Sequence, residues 1–386
     1  MDFEFLSIIA FFGILAILIF KDRKNIEFKP LLIIRRTEKG KDKIERFAKK
    51  YSKILNVFAN VAVILGFALS IFGFVYLFTF PSVKFLFPKV FPGEVSEGAS
   101  KIAFFIPLWY WVIALFVIIF PHELAHGLIT VIEKIKITSM GLILFLIFPG
   151  AFVEPDEVKF QRSKPRTRMR IASVGSIANI AVMLILVLLI FAWNFLGTIV
   201  FQETGIIFEN TIPDTPADDA GMKGVITEIN GKEVRDLKDL SDILSDVNPG
   251  DTVRVVTTEG EYSFETIENP EDSSQSFMGI GNISIRLDYK YGLTFLGDAS
   301  KGAAVYSWFG GLFTWVAFLN LNIAIANLLP FLPFDGGVMW QALFEKITKK
   351  KKFAKRMITA LSIITYCLLV VNLIGIDRIT RLLGLP

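Results

Sequence analysis

Two histidines and a glutamate have residue types and spacing suited to metal chemistry. The stretch F-P-H-E-L-A-H-G, which begins at Phe120, contains H-E-x-x-H and holds the only two histidines of the chain. On a helix, His122 and His126 lie one turn apart, so both imidazoles can reach one Zn²⁺ while Glu123 is placed to act as a general base. The pattern also occurs on solvated helices. Here it follows an uncharged apolar run, 102–120, where such groups are costly unless something pairs with them.

The composition is typical of a membrane protein. Of 386 residues, 53% are hydrophobic and 38 are Phe, and the mean hydropathy is +0.54. The first apolar run lacks a basic leader and a small-residue cleavage site, which favours a retained helix over a signal peptide. The single Cys367 leaves no intramolecular disulfide and no cysteine-based metal site. We predict six spans, each long enough for a hydrocarbon layer of about 30 Å: 3–20, 54–80, 102–132, 171–198, 305–333 and 357–375.

Charge is unevenly distributed along the chain. Residues 21–53 carry thirteen Lys or Arg against five Asp or Glu, and the clusters at 159–170 and 346–356 are also basic. By the positive-inside rule these segments are cytoplasmic, which places both termini, the loop after the second span and the segment 199–304 outside. Residues 203–300 hold twenty acidic and seven basic side chains. The net charge of +4 is thus explained by membrane orientation and does not indicate a nucleic-acid partner.

The apolar stretch 134–153 is too short to span as a helix and is interrupted by Gly141 and by Pro149-Gly150. We expect a hairpin that enters the membrane without crossing it. Bare strand edges cannot face lipid, so such a hairpin must lie against protein or line a wet cavity. Beside a zinc helix, that cavity would be the active site.

The outer segment has the character of a soluble domain. Short β runs alternate with Gly and Asn-Gly turns, 236–247 has helical spacing, and 251–267 alternates like a final hairpin. The elements P-A-D-D-A-G-M from Pro216 and I-N-G-K from Ile229 resemble those of bacterial protease-associated PDZ domains. Such a domain can take an extended peptide as an extra strand. A spacer without a ligand is the alternative.

Two functions are open for this PDZ-like domain. It acts as a size filter above the face from which substrates arrive, or as a receptor for a newly exposed carboxyl terminus. The receptor would use a loop at Gly205–Phe208, whose backbone N–H groups could receive the carboxylate.

A carboxylate for the metal follows the fifth span. The sequence N-L-L-P-F-L-P-F-D-G-G runs from Asn327, and its two prolines should unwind the helix where it reaches Asp335. Catalytic zinc needs three protein ligands and one open position, and the histidines supply two. Asp335 is the expected third ligand. Asn179, in the fourth span, either packs against a neighbouring helix through its amide or has a role in the site.

These motifs together resemble the site-2 protease family of intramembrane zinc metalloproteases. The resemblance rests on H-E-x-x-H in one span and N-x-x-P-x-x-P-x-D-G-G in a later one, on the 141–153 stretch, and on a Gly-x-x-x-Asn formed by Gly175 and Asn179. It covers roughly 102–345. Phe334 departs from the Leu that is frequent before the Asp, and there is one PDZ-like unit where some relatives have two.

The resemblance implies one Zn²⁺ held by His122, His126 and Asp335, with Glu123 as general base and then acid. Asn179 and Asn327 are expected to hold an extended substrate backbone. The implied activity is hydrolysis of peptide bonds within transmembrane segments, nearer the cytoplasmic face, with release of a cytoplasmic regulatory fragment. The expected partners are the lipid bilayer and a single-pass membrane protein already cut by another protease.

Two rival functions remain. One is a metalloprotease with a soluble catalytic domain and a downstream Glu ligand, against which the D-G-G motif argues. The other is a PDZ-bearing receptor or scaffold with structural zinc, which would need a fourth ligand.

The predicted fold is a polytopic α-helical membrane protein with about six transmembrane helices, a membrane re-entrant β-hairpin and a small α+β PDZ-like extracytoplasmic domain. Its expected parts are two N-terminal transmembrane helices with a basic cytoplasmic loop (1–101), the first part of the metalloprotease core (102–200), the PDZ-like domain and linker (203–300), the third core helix with the Asp ligand (301–345) and a C-terminal transmembrane helix (346–386).

The orientation can be tested by cysteine labelling after Cys367 is replaced by Ala. Cysteines introduced at Lys41 or Lys350 should react only from the cytoplasmic side, because both lie in basic segments. A cysteine at Asp242 should react only from outside. The reverse pattern would overturn the predicted topology.

Overall fold

The computed structural model describes residues 3–38, 40–79, 85–89, 103–145, 148–270, 272–290 and 293–374. The chain forms two compact units. The first comprises Met1–Leu189 with Leu312–Pro386, and the second comprises Ile190–Gly311. Most of the loop expected at 81–101 and the C-terminal segment from 375 lie outside the described residues.

Five described helices are long and apolar enough to cross a membrane, which confirms a polytopic helical membrane protein. The first predicted span forms helix α1 (Phe3–Lys21). Its apolar segment, Ile9–Lys21, is shorter than the five helices that are long enough to span. The five are α3 (Ser52–Thr79), α4 (Leu108–Ile132), α6 (Pro165–Val200), α9 (Ala299–Leu328) and α11 (Lys351–Ile374).

Two predicted spans begin or end elsewhere. The third was expected from 102, but Ala103–Pro107 is a strand (β4) that pairs in parallel with Phe85–Lys89 (β3), and the helix starts only after Pro107. The fifth was expected to reach 333, but it ends at Leu328. A short turn and a separate helix, α10 (Asp335–Thr348), follow it. In both places proline marks the boundary, because it lacks an N–H donor and restricts the residue before it.

A four-stranded antiparallel sheet belongs to the first unit. Its order is β1-β2-β5-β6, with β5 and β6 in the region where a hairpin was expected. The depth of these strands in a membrane stays a prediction. The segment 21–53 was predicted only as a basic loop, yet it supplies β1, β2 and the helix α2. The elements are β1 (Ile26–Lys29), β2 (Leu32–Thr37), α2 (Lys41–Lys50), β5 (Ile137–Phe145) and β6 (Phe148–Pro155).

Small side chains let the helices of the first unit approach closely. Ala59 and Ala62 of α3 are fully buried against Ala125 of α4 and Ala172 of α6 in one apolar cluster. Close approach of small residues is how helices associate where lipid removes the hydrophobic driving force. The result is a tight bundle around the segment that carries the two histidines.

Buried ion pairs tie the first turns of α6 to its neighbours. Arg168 donates to Glu345 of α10 at 2.6 Å, and Arg170 pairs with Glu133 at the end of α4 at 2.5 Å. Arg170 also donates to the side-chain oxygen of Asn56 in α3 at 2.6 Å. All four charged side chains are mostly buried, so one cluster of charge fixes α3, α4, α6 and α10 relative to one another.

The second unit is built on one sheet of order β11-β10-β8-β7-β14, with β9 paired to β8. Its assignment as a PDZ-like domain stays a prediction. The helix and hairpin expected at 236–247 and 251–267 correspond to α8 and to β10–β11, and the chain then adds β12, β13 and β14 where a linker was expected. The elements are β7 (Phe201–Thr211), α7 (Pro216–Asp219), β8 (Val225–Ile229), β9 (Lys232–Glu233), α8 (Leu237–Ser245), β10 (Thr252–Thr257), β11 (Glu261–Glu265), β12 (Ile267–Glu268), β13 (Ser276–Phe277) and β14 (Ile280–Tyr289).

The expected carboxylate loop at Gly205–Phe208 is wrong. These residues lie inside β7, where Ile206 pairs with β14 on one side and with β8 on the other. The backbone N–H and C=O groups of this segment therefore pair with the neighbouring strands β8 and β14. The described edges of the sheet are β11 and β14, and a cavity of about 500 Å³ lies between α8 and β14.

The ion pairs give a stability prediction. Arg168→Met should lower the free energy of unfolding by about 3 kcal/mol, because it removes the hydrogen-bonded partner of the buried Glu345 and leaves only Lys351 at 3.9 Å. The double variant Arg168→Met, Glu345→Leu should recover most of the loss. Thermal unfolding in detergent measures both.

The control is Lys232→Met, which removes the exposed Lys232–Asp246 pair and should have an effect below about 1 kcal/mol. A double variant less stable than the single one would contradict the buried-pair interpretation.

Candidate active site

The H-E-x-x-H segment lies on α4, which continues through Pro121. Pro121 removes one intrahelical hydrogen bond just before the motif. The Nε2 atoms of His122 and His126 are 3.1 Å apart, so the two imidazoles point toward one place. The helix therefore presents both nitrogens as a pair.

Asp335 completes the group at the N-terminus of α10. Its Oδ2 lies 3.3 Å from Nε2 of His122 and 3.2 Å from Nε2 of His126. Ligands about 2.0–2.1 Å from a tetrahedral Zn²⁺ are about 3.3 Å from one another. The three atoms therefore fit such an ion, and in the part of the chain that the structure describes they form the one group of three or more His, Cys, Asp or Glu close enough to hold a metal.

A backbone carbonyl orients His126. Nδ1 of His126 is 2.6 Å from the Ile171 carbonyl oxygen in α6. A carbonyl can only accept, so Nδ1 must carry a proton, and in the neutral imidazole Nε2 then presents its lone pair toward His122 and Asp335. This is the usual arrangement behind a metal-binding histidine.

Asn179 stands behind His122. It is fully buried, and its Nδ2 lies 3.3 Å from Nδ1 of His122, while its Oδ1 has no hydrogen-bond partner among the described residues. The oxygen and nitrogen of an amide are assigned from the bonds they make. Exchanging the two lets Oδ1 accept a hydrogen bond from the Nδ1–H of His122, which satisfies the orphan oxygen and leaves the Nε2 lone pair for a metal.

Gly175 makes room for both rings. A Cβ atom at this position would lie within 2.7 Å of Cε1 and Nε2 of His122 and still closer to Nε2 of His126. Real Cβ atoms do not come this close to other heavy atoms, and the neighbours here are rings already fixed by hydrogen bonds. Any side chain at 175 would displace the two histidines.

The last two groups face the cleft. Oε2 of Glu123 accepts a hydrogen bond from the backbone N–H of Val153 in β6 at 3.0 Å. Asn327 places Nδ2 3.1 Å from Oδ2 of Asp335 and 3.2 Å from Nε2 of His122. Both side chains line a cleft of about 360 Å³ that also includes the three ligand-type residues.

The comparisons with known proteins agree with this geometry. The profile of peptidase family M50 matches residues 110–371, more than half of the chain. The chain belongs to peptidase family M50, the site-2 protease family. It is also similar to the uncharacterized protein MJ0971 of Methanocaldococcus jannaschii, with 28% identity over 354 residues, 88% of this chain and 85% of that protein. M50 peptidases are metalloproteases in general, and the matched range includes both motifs.

The structure of this M50 peptidase brings together most of the residues predicted from the sequence. His122, Glu123, His126, Asp335 and Asn327 share one cleft. Asn179 does not. It was expected to hold substrate, but it is fully buried behind His122 and touches no open space. The reason is helical spacing, since Gly175 and Asn179 are one turn apart on the face of α6 that packs against the histidines.

Sequence reasoning missed two contributors to the site of the M50 peptidase. They are the carbonyl of Ile171 and the N–H of Val153. Both are backbone groups, so no side-chain type signals them. Only the packing of α6 and β6 against α4 reveals their role.

Asn179 gives a test of the proposed histidine orientation. Asn179→Leu should weaken zinc binding about 10-fold to 100-fold, as loss of an outer hydrogen bond to a metal-binding histidine does elsewhere. Asn179→Asp keeps an acceptor of the same shape and should bind zinc better than the Leu variant. Competition with a chelator measures both affinities.

The Leu and Asp variants show whether Asn179 accepts or donates the hydrogen bond to Nδ1 of His122. If Asn179 instead donates to an unprotonated Nδ1, the Asp variant should be as weak as the Leu variant or weaker. That result would rule out the exchanged amide.

Proposed function

We propose that this M50 peptidase is an intramembrane zinc metalloprotease that hydrolyses peptide bonds within transmembrane segments of membrane-anchored proteins. The observation that carries the proposal is that the ligand-type atoms of His122, His126 and Asp335 lie about 3 Å apart. The two histidines and Glu123 lie on α4, a helix long and apolar enough to span a membrane. Ionisable groups are costly within a membrane-spanning helix, so their presence there indicates a functional site.

The residues take the following roles. His122, His126 and Asp335 would hold the zinc, which when bound acidifies water and polarises a carbonyl oxygen. As the oxygen of the attacking water bonds to the carbonyl carbon, Glu123 takes a proton from that water. It then returns that proton to the leaving nitrogen as the C–N bond breaks. Its other oxygen is anchored by Val153, which fixes the carboxylate while it works.

A helix hides its backbone, so the substrate must be drawn out into an extended form. Strand β6 is the edge of its sheet and passes beside Glu123 at Val153. Main-chain pairing with such an edge is a known way to bind an extended peptide. Asn327, whose amide lies near Nε2 of His122 and Oδ2 of Asp335, would hold a backbone carbonyl of the substrate in this proposal.

The orientation proposal follows from charge. The basic segments would lie in the cytoplasm and the acidic second unit outside, so α4 would run inward and carry its motif in the cytoplasmic half. Cleavage would then release a cytoplasmic fragment. A substrate already shortened by another protease fits this proposal, with the second unit acting as a filter or a receptor.

A scaffold with structural zinc is the weaker candidate. Such a site would be closed by a fourth ligand, usually Cys or His. The chain has two histidines, both already in the group, and its single Cys367 lies on α11 with an exposed side chain. Three ligands with an open cleft favour catalysis.

Two variants test the enzyme. Glu123→Gln should keep about one zinc per chain and lose cleavage of a membrane-anchored substrate, because only the proton carrier is removed. Asp335→Ala should lose both zinc and cleavage, because only two ligands remain. Zinc is measured by elemental analysis of purified protein.

Full cleavage by Glu123→Gln would rule out its role as the base. Full zinc occupancy in Asp335→Ala would rule out the ligand assignment. In a scaffold, Glu123→Gln would leave the function unchanged.

A further inference from the structure

Helix α10 begins at Asp335, and about one turn further along it packs on α3. Met339 is fully buried, and a Cβ atom at Gly66 of α3 would lie 2.9 Å from its Cε atom. The ring of Trp340 meets the ring of Phe67 edge to face, with 5.2 Å between the centroids. The missing side chain at Gly66 therefore lets the two helices approach closely at this point.

A hydrogen bond crosses the same helix contact. Nε1 of Trp340 donates to Oγ of Ser70 at 2.8 Å, and Ser70 is fully buried in α3. A hydrogen bond is directional, whereas apolar packing is not. This bond therefore restrains both the rotation of α10 about its own axis and its position along α3.

The contact with α3 differs in direction from the two other polar contacts of α10. Successive residues of an α-helix are about 100° apart around its axis. Counted from Asp335, which faces the histidines of α4, Trp340 points about 140° away, toward α3. Glu345 points about 80° away in the other sense, toward Arg168 of α6. Contacts in three directions oppose a roll of the helix.

A small roll would be enough to spoil the candidate metal site. Side-chain tips lie about 5 Å from a helix axis, so a roll of about 20° moves one of them by about 2 Å. Metal–ligand distances are expected to hold within about 0.2 Å. Oδ2 of Asp335 lies 3.3 Å from Nε2 of His122 and 3.2 Å from Nε2 of His126, and such a roll would remove this fit.

We propose that Trp340 is a positioning residue for Asp335, the third zinc ligand, and that it acts by fixing α10 on α3 through Ser70. The inference rests on the metal site of the function proposed above. Among the described residues that line the cleft, none belongs to α3, and Trp340 is absent too. Any effect of Trp340 or Ser70 on the metal must therefore pass through the position of α10.

The test measures metal binding in the purified full-length protein. Trp340→Phe keeps an aromatic ring beside Phe67 and removes the N–H. Rolled positions of α10 then become populated, and the apparent affinity falls with the fraction that stays aligned. For one hydrogen bond, zinc affinity measured by competition with a chelator should fall about threefold to tenfold. With Co²⁺ in place of Zn²⁺, the visible absorption bands should shift, because they report the geometry of the ligands.

A change on α3 tests the path. Ser70→Ala removes the acceptor of the same hydrogen bond and should lower zinc affinity by a similar factor. Because both changes remove one interaction, the double variant Trp340→Phe, Ser70→Ala should be about as weak as either single variant. Losses that multiply in the double variant would overturn the proposed path. If Trp340→Phe does not fold, Ser70→Ala decides the matter alone.

The chain offers a matched control for a tryptophan–serine bond. Nε1 of Trp109 donates to Oγ of Ser7 at 2.9 Å. Trp109 precedes His122 on α4 by about 20 Å of helix. Trp109→Phe should therefore leave zinc affinity and the Co²⁺ bands unchanged, although it removes a hydrogen bond of the same kind.

Two results would overturn the positioning role. One is wild-type zinc affinity with wild-type Co²⁺ bands in folded Trp340→Phe or Ser70→Ala. The other is an equal loss of affinity in Trp109→Phe, which would mean that general destabilisation lowers metal binding. Wild-type protein that bound no zinc would instead count against the proposed function.

Discussion

Three ligand-type atoms on two helices must stay within about 3 Å of one another inside an apolar bundle, and much of the surrounding structure follows from that constraint. Gly175 gives the rings the volume they occupy. The Ile171 carbonyl and the Asn179 amide hold the far side of each ring. All three positions lie on α6, which carries none of the three ligand-type residues. Packing and hydrogen bonds from α6 therefore fix the positions of the two histidine rings.

The charges at the start of α6 extend the same constraint to the third ligand-type residue, Asp335. Asp335 and Glu345 begin and nearly end the same short helix, α10, and Arg168 binds Glu345. Arg170 binds Glu133, which directly follows α4, the helix of the two histidines. Buried ion pairs contribute little net stability compared with apolar packing, but a broken pair is costly. They thus favour one arrangement of α4, α6 and α10 over slightly shifted alternatives, which is what a site with tight distances requires.

The sequence was informative where a side chain acts through its own chemistry. H-E-x-x-H and the D-G-G motif marked four residues that share one cleft, and apolar length marked the spans. The sequence was less informative where contacts with other segments of the chain determine the local structure. The run L-L-I-I-R-R from Leu31 looked like part of a basic loop, yet it forms β2 and extends the sheet toward β1. Gly205–Phe208 was expected to be a carboxylate-binding loop in the receptor alternative, yet strands on both sides pair with it. Asn179 looked able to reach substrate because burial cannot be seen in a single sequence.

The edge of the four-stranded sheet carries features that restrain unwanted pairing. Strand β6 is an edge of this sheet in the described part of the chain, and it contains Pro149 and Pro155, which have no N–H to offer a partner strand. The Val153 N–H between them is already bonded to Oε2 of Glu123 at 3.0 Å. Prolines on an open edge limit how far another strand can pair along it. The same strand therefore anchors Glu123 and restricts pairing at its own edge.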